Sequence, residues 1–111
     1  MVNIDRANAA IFGSLLLILI VGNVFLTIAH EEAHKVIFSV YGIDSEIYYA
    51  IEGSYTQATE SNVFICDSDV QTMQGMQALN EVMGYSTQTL FNILALSQFT
   101  IVVIFLNRGN T

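Results

Sequence analysis

Charged residues are scarce in this chain, and positive charge is scarcer still. Only 12% of the 111 residues are Asp, Glu, Lys or Arg, against ~25% in an ordinary soluble domain. A soluble domain this small needs charged side chains to cover its large surface. With 3 basic residues against 10 acidic ones, the chain also lacks the Lys and Arg that neutralise phosphates. The composition argues against an ordinary soluble domain and against nucleic acid as a partner.

Proline is absent and cysteine occurs once, as Cys66. A single cysteine cannot form an intrachain disulfide, and a chain without proline has no Pro-rich linker. The length of 111 residues suits one domain, since single domains typically contain ~100–200 residues. We therefore predict that residues 1–111 form a single domain, and the long uncharged runs of the sequence indicate that it is a membrane domain.

Two long runs of the sequence contain no charged side chain, residues 7–29 and residues 82–107. As a helix the first run is ~30 Å long, which is the thickness of the hydrocarbon core of a bilayer. It is also too long for the apolar region of a cleaved signal peptide, which is ~7–15 residues. We predict transmembrane helices at residues 8–29, continuing as helix to about residue 41, and at residues 88–106. The alternative is a buried core hairpin within a larger assembly.

A polar insert at residues 42–84 is predicted to separate the two spans. Nine of the ten acidic residues lie between Glu31 and Glu81, so that the charge of the chain is concentrated beside this insert. The predicted fold class is a mainly α membrane protein with two transmembrane helices, and with a small β-hairpin and a short amphipathic helix between them. The predicted location is that of an integral membrane protein with two spans.

The insert has local signals for each of its predicted elements. Gly42 follows a helical stretch and is a candidate C-cap. Apolar residues at alternate positions predict a half-buried strand within residues 43–52, and the Gly53-Ser54 pair predicts a turn before a second strand within residues 55–66. Residues spaced by three and four then predict a weakly amphipathic helix, which Gly84 separates from the second span.

The first apolar run ends at His30-Glu31-Glu32-Ala33-His34, which satisfies the pattern HExxH. On a helix His30 and His34 project from one face, so that both imidazoles can bind a single Zn²⁺. Glu31 has the position of a general base, which takes a proton from a metal-bound water whose pKa is lowered toward ~7. The alternative is a solvated, salt-bridged segment where the helix leaves the membrane. Ionisable residues continuous with a transmembrane helix are costly and usually functional, which favours the metal site.

The segment HEEAHKVIFSVYGIDSEIYYAIEG resembles the core of the site-2 protease family of intramembrane zinc metalloproteases. That family has HExxH on a transmembrane helix, apolar residues after it, a glycine two helical turns beyond the second His, and then a short β-strand region. The resemblance implies that His30 and His34 are zinc ligands and that Glu31 is the catalytic residue. It also places Gly42 on the family's glycine.

The chain departs from the family pattern further on. The stretch EVMGYSTQTLFNILALSQF is similar to the family's next helix, which often opens with Gly-Pro; Gly84 matches the glycine, while Tyr85 replaces the proline. The family's third zinc ligand is an Asp in a later transmembrane helix, in an Asn/Pro-rich stretch that leads to Asp-Gly. This sequence has no proline, no Asp-Gly and no third uncharged span. The resemblance therefore describes a short and partly degenerate member.

A catalytic zinc site needs three protein ligands and one open position. We predict Asp67 as the third ligand. The alternatives are Asp69, Glu52, Glu60, Glu81, Cys66 and a ligand from a partner chain.

The predicted function is that of a membrane-embedded zinc metalloprotease that hydrolyses peptide bonds in or near the bilayer. Its substrate would be a membrane protein or a peptide, which the strand at residues 47–51 could bind by β-augmentation. The alternative is a non-catalytic small subunit of a larger membrane protein complex that retains the HExxH helix. With both interpretations we expect a homo- or hetero-oligomer, and the sequence leaves open whether the chain is an enzyme.

Overall fold

The computed structural model describes residues 6–59 and 65–109. Two long helices flank a small two-stranded sheet in the chain, in the order α1 (Arg6–Val40), β1 (Ser45–Tyr48), β2 (Tyr55–Ala58) and α2 (Asp67–Arg108). The molecule is elongated, with extents of 69 × 21 × 19 Å. The prediction of two long apolar helices with a β-hairpin between them is confirmed.

The two helices run antiparallel and touch along most of their length. Near one end the rings of Phe12 and Phe99 lie 5.1 Å apart. Near the other end the Tyr41 hydroxyl lies 3.6 Å from the sulfur of Met76. Residues that follow one another along α1 therefore meet residues of decreasing number along α2, and the two histidines of the HExxH segment face residues of the second helix.

A close approach and a polar layer hold the middle of the helix pair. The Phe91 ring fills the space beside Gly22, where a Cβ would collide with it. One residue further along α1, the Asn23 amide donates to Asn92 Oδ1 at 2.8 Å, and the Gln88 amide donates to Asn23 Oδ1 at 3.1 Å. Such interhelical hydrogen bonds contribute on average ~0.6 kcal/mol each in a membrane protein. They also set the register of the pair.

Helix α1 ends at Val40, and Gly42 caps it just beyond that end, as the sequence predicts. Gly42 has φ +71°, a left-handed conformation that glycine adopts without steric penalty. Its N–H donates to Ser39 O at 3.0 Å, and the Ile43 N–H donates to Phe38 O at 3.0 Å. These two bonds form a Schellman motif, which satisfies carbonyls at the end of the helix and turns the chain back toward α1.

Strands β1 and β2 form a tight hairpin, with Ile47 opposite Thr56. The Gly53 N–H donates to Ala50 O at 3.2 Å, which closes a turn with Ile51 at its tip, and Gly53 has φ +146°. The strands are shorter than predicted, because the chain turns before Ile51 can extend β1. Residues 60–64 of the predicted second strand lie outside the described residues.

The outer face of the hairpin carries aromatic and acidic side chains. Tyr48 and Tyr55 stack with their ring centroids 5.2 Å apart. The Tyr48 hydroxyl donates to Glu46 Oε2 at 3.0 Å. This hydrogen bond to a carboxylate, together with the negative charge of Glu46, raises the pKa of Tyr48 above its ordinary value. The inner face packs on α1 and places β2 beside the HExxH segment.

Helix α2 is continuous through Gly84, and the predicted separate amphipathic helix is the first part of it. A glycine within a helix costs only ~1 kcal/mol, and no proline interrupts the segment. The predicted boundary at Gly84 is therefore wrong. The last part of the polar insert and the second apolar run therefore belong to one continuous helix.

Both helices are long and apolar enough to cross a membrane, by length and composition. The predicted spans at residues 8–29 and 88–106 lie within α1 and α2 respectively. Large apolar side chains project outward from both helices; Phe25 is 67% exposed and Phe105 is 70% exposed. The apolar surface therefore faces outward along both helices. The buried residues, Glu31, His34, Ile37, Ile43 and Ser45, lie near the hairpin.

Candidate metal centre

Three potential metal ligands converge where α1, α2 and the hairpin meet. His30 and His34 lie one turn apart on α1, and Glu81 faces them from α2. The two Nε2 atoms of the histidines lie 3.2 Å apart. Glu81 Oε1 lies 2.9 Å from His34 Nε2 and 3.6 Å from His30 Nε2. The three atoms thus form a small triangle around a common centre.

The size of this triangle matches the donor spacing of a zinc site. Two ligands that each bind a zinc ion at ~2.0–2.1 Å and a tetrahedral angle lie ~3.3 Å apart. The spacings of 2.9, 3.2 and 3.6 Å scatter around that value. Two histidines and one glutamate form a donor set found in catalytic zinc sites, which leave the fourth position open. The residues present therefore fit a zinc ion.

Gln77 orients the second histidine from α2. Its side-chain Oε1 accepts a hydrogen bond from His34 Nδ1, and its Nε2 donates to His34 O at 3.4 Å. This arrangement selects the tautomer of His34 whose Nε2 is free to bind a metal. Asn80 adds a bond from its amide to His30 O at 3.2 Å. Helix α2 therefore supports the metal-binding turn of α1 as well as supplying a ligand.

The Nδ1 side of the His30 ring is held by packing rather than by a hydrogen bond. Its Nδ1 is buried and has no hydrogen-bond partner among the described residues. The ring lies against Gly84, where a Cβ would collide with Nδ1 and its ring neighbours. On another side the Tyr85 ring approaches to 5.8 Å between centroids. The absence of a side chain at Gly84 is what allows the imidazole to fit between the helices.

Glu31, the predicted general base, is buried beside these ligands and is 4% exposed. The Thr56 hydroxyl on β2 lies 2.7 Å from Glu31 Oε2 and 3.1 Å from the backbone carbonyl of Glu31. A buried carboxylate is costly unless it accepts hydrogen bonds. The hairpin therefore supplies a donor to the one residue that the sequence predicts to be catalytic.

The ligands and Glu31 line one cavity of about 450 Å³. Ser54, just before β2, and Thr56 within β2 form another part of its wall, and Gln88 lies farther along α2 in the same wall. Among the described lining residues, the charged carboxylates are Glu31 and Glu81. The cavity is large enough for a segment of extended peptide beside the metal ligands.

The structure brings Glu81, and not Asp67, to the two histidines. Asp67 is the first residue of α2 and is exposed. Fourteen residues of helix separate it from Glu81, a distance of ~21 Å at 1.5 Å per residue. Near the N-terminus of α2 its negative charge complements the helix dipole. The prediction of Asp67 as third ligand is therefore corrected to Glu81, one of the alternatives considered from the sequence.

The other alternative ligands lie elsewhere. Cys66 is exposed at the N-cap of α2, and Asp69 is exposed in its first turn. Glu52 is exposed in the hairpin turn. Glu60 lies outside the described residues. Within residues 6–59 and 65–109, His30, His34 and Glu81 are the group whose ligand atoms converge.

Sequence reasoning missed the supporting residues Gln77 and Thr56, and it treated Gly84 as a boundary. One signal was available, since Gln77, Glu81, Gly84 and Gln88 recur at intervals of three and four. This spacing marks one face of a helix. The stripe becomes visible only if the helix continues through Gly84. No comparable signal in the sequence connects Thr56 to Glu31.

Comparisons of this chain with protein-family models, with curated proteins and with solved structures found no match. The site is therefore interpreted from its own geometry.

Proposed function

We propose that this chain is a membrane-embedded zinc metalloprotease that hydrolyses peptide bonds in or near the bilayer, in the manner of the site-2 protease family. The convergence of His30, His34 and Glu81 in a cavity that also contains the buried Glu31 carries this proposal. Three protein ligands with an open fourth position are characteristic of catalytic zinc, whereas structural zinc sites usually have four protein ligands. A buried glutamate beside such a set has the position that hydrolysis requires of a general base.

In the proposed reaction a bound Zn²⁺ supplies a Lewis acid that polarises the scissile carbonyl and activates water. Glu31 takes a proton from the attacking water as its oxygen bonds to the carbonyl carbon of the peptide. The same carboxyl then gives this proton to the amine nitrogen as the C–N bond breaks. The products are a carboxylic acid and an amine, the second proton of the water passes from the acid to the amine to give a carboxylate and an ammonium group, and Glu31 returns to its starting state.

The position of the site along the helices supports cleavage near a membrane surface. His30 directly follows the uncharged run at residues 7–29, and Glu81 directly precedes the uncharged run at residues 82–107. The antiparallel helices bring these two run ends to the same level. A substrate that leaves the bilayer at this level would pass the cavity, so we propose juxtamembrane segments of membrane proteins as substrates.

The edge of β2 that faces away from β1 has no partner strand within residues 6–59 and 65–109, and this free edge supports binding of an extended substrate. The Thr59 N–H donates to Asp44 O at 2.8 Å, which fixes the alternation of hydrogen bonds in the hairpin. By that alternation Gln57 pairs with β1, while the backbone N–H and C=O of Thr56 point away from β1. Because residues 53–56 line the cavity, β-augmentation would occur on β2 rather than on the strand at residues 47–51.

The alternative function is a non-catalytic small subunit that retains the HExxH helix. The broad apolar surface of the helices favours it, because outward residues such as Phe25 and Phe105 would pack equally well against partner helices. Both functions predict a membrane location. They differ in whether the metal centre turns over a substrate.

Zinc content and peptide cleavage together test the proposal. The full chain is purified in lipid nanodiscs, its zinc is measured, and a single-span peptide with fluorophore and quencher on either side of its juxtamembrane region is supplied. We expect about one zinc per chain, loss of cleavage in Glu31→Gln with zinc retained, and near-normal cleavage in the control Glu32→Gln. Glu32 is exposed, unlike its buried neighbour.

The other outcomes decide against the protease. A wild-type chain without stoichiometric zinc contradicts the metal centre itself. Zinc binding without cleavage, or with equal cleavage in Glu31→Gln, selects the non-catalytic subunit.

A further inference from the structure

The contact between Glu31 and Thr56 joins two separate parts of the chain, the metal-binding helix and the hairpin. The Thr56 hydroxyl is the hydrogen-bond donor to the Glu31 carboxylate in the structure, at 2.7 Å from Oε2. A hydrogen bond to a charged acceptor is stronger and more directional than one between neutral groups. Since Glu31 is 4% exposed, its carboxylate depends on such a donor to offset the cost of burial. The hydroxyl therefore restricts the orientation of the carboxylate.

Only one of the two carboxylate oxygens is engaged by this contact. With Oε2 accepting from Thr56, Oε1 of Glu31 keeps its lone pairs for a proton. A general base must present an oxygen within hydrogen-bond reach of the water it deprotonates. Fixing one oxygen therefore helps to orient the other.

The backbone of the same threonine lies at the free edge of β2, where the proposed substrate strand would pair. A substrate that bonds to the Thr56 N–H and C=O would hold β2 in place. The Thr56 hydroxyl would then hold the Glu31 carboxylate in a fixed orientation through its hydrogen bond. We propose that Thr56 is a positioning residue, which couples the binding of an extended substrate on the hairpin to the orientation of the Glu31 carboxylate. This inference rests on the proposed protease function.

The hairpin has other attachments to α1, so that Thr56 is not needed to hold it. Ile43 and Ser45 are buried and Ile47 is half-buried where the sheet packs on the helix. Valine has the same branched shape as threonine and favours strands equally. Thr56→Val therefore removes the hydroxyl and leaves the strand. Thr56→Ser retains a hydroxyl, and Thr59→Val makes the same change at an exposed position just beyond β2.

The test measures kcat and KM of the full chain in nanodiscs with the quenched single-span peptide. We expect Thr56→Val to lower kcat by ~10–100-fold, the effect of a misplaced catalytic group. KM should change by less than about threefold, because backbone pairing at β2 remains. Thr56→Ser should restore most of kcat. Thr59→Val should resemble the wild type, and all three variants should retain zinc.

A double-mutant cycle separates positioning from a structural role. In the Glu31→Gln background the base is already removed, so Thr56→Val should cause no further loss of the residual rate. An equal loss in both backgrounds, or wild-type kcat in Thr56→Val, overturns the proposal for Thr56 while leaving the protease intact. Full activity in Glu31→Gln alone would instead overturn the proposed function.

Discussion

Gly84 on α2 lies directly against the imidazole ring of His30 on α1. A Cβ at Gly84 would come within 3.0 Å of three ring atoms of His30, closer than carbon and nitrogen atoms approach without a bond. The His30 ring therefore occupies the space that a side chain at position 84 would need. The absence of that side chain determines how near the two helices can come at the candidate metal centre.

Gly84→Ala should weaken zinc binding by ~10–100-fold, the range seen when residues that support a ligand are changed. The added methyl group displaces His30, although alanine by itself favours a helix by ~1 kcal/mol over glycine. Gly75→Ala is the matched control, because a Cβ there meets nothing within 4 Å. Zinc affinity is measured by competition with a chromophoric chelator. Equal affinity in both variants would contradict the packing of His30 on Gly84.

Glu81→Gln should reduce zinc affinity by more than the ~10–100-fold expected for a supporting residue, because it removes a direct ligand. Asp67→Asn should leave the affinity unchanged, since Asp67 is exposed at the start of α2. The same chelator competition checks both variants. The opposite ranking would return the third ligand to Asp67 and contradict the antiparallel register described above.

Gln77→Leu should also weaken zinc binding, by ~10–100-fold. The change removes the acceptor of the His34 Nδ1 hydrogen bond, so that the ring is free to rotate and to change its tautomer. Gln74→Leu is the control, since Gln74 is exposed on the same helix. Histidine ¹⁵N chemical shifts of the zinc-free chain report the tautomer. An unchanged tautomer population in Gln77→Leu would contradict this role.

Asn23 and Asn92 should be energetically coupled across the helix pair. Their hydrogen bond of 2.8 Å lies in the middle of the apolar segments, and such bonds are worth ~0.6 kcal/mol on average and at most ~1.7 kcal/mol. We expect that coupling from a cycle of Asn23→Leu and Asn92→Leu, measured by unfolding in mixed micelles. Ser97→Ala should show no coupling to Asn23, because its hydroxyl bonds to Ile93 O on its own helix.

The sequence was informative wherever the chemistry is local. His30 and His34 share a face because a helix has 3.6 residues per turn, and Gly42 ends α1 because it tolerates positive φ. The hairpin follows from alternating residues and a glycine turn. Each of these features depends on residues within a few positions of one another.

The rest depends on how distant segments align. Glu81 becomes a ligand only through the register of two helices that are joined by a long connection, and that register is set by interhelical contacts such as Gly22 with Phe91. Thr56 reaches Glu31 only after the hairpin folds back along α1. Single-residue patterns carry no information about such pairings, so the sequence alone does not distinguish Glu81 from the other acidic candidates such as Asp67.

With the membrane location that we propose, the continuity of α2 links the candidate metal centre to the surrounding bilayer. Its 42 residues form a rod ~63 Å long, about twice the thickness of a hydrocarbon core. Helices adjust to thinner or thicker bilayers by tilting, and a tilt of α2 at its apolar half moves Glu81 at its polar half in the opposite direction. With the proposed membrane location, lipid chain length would therefore act on the position of Glu81 as well as on the apolar segment, because α2 is unbroken between them.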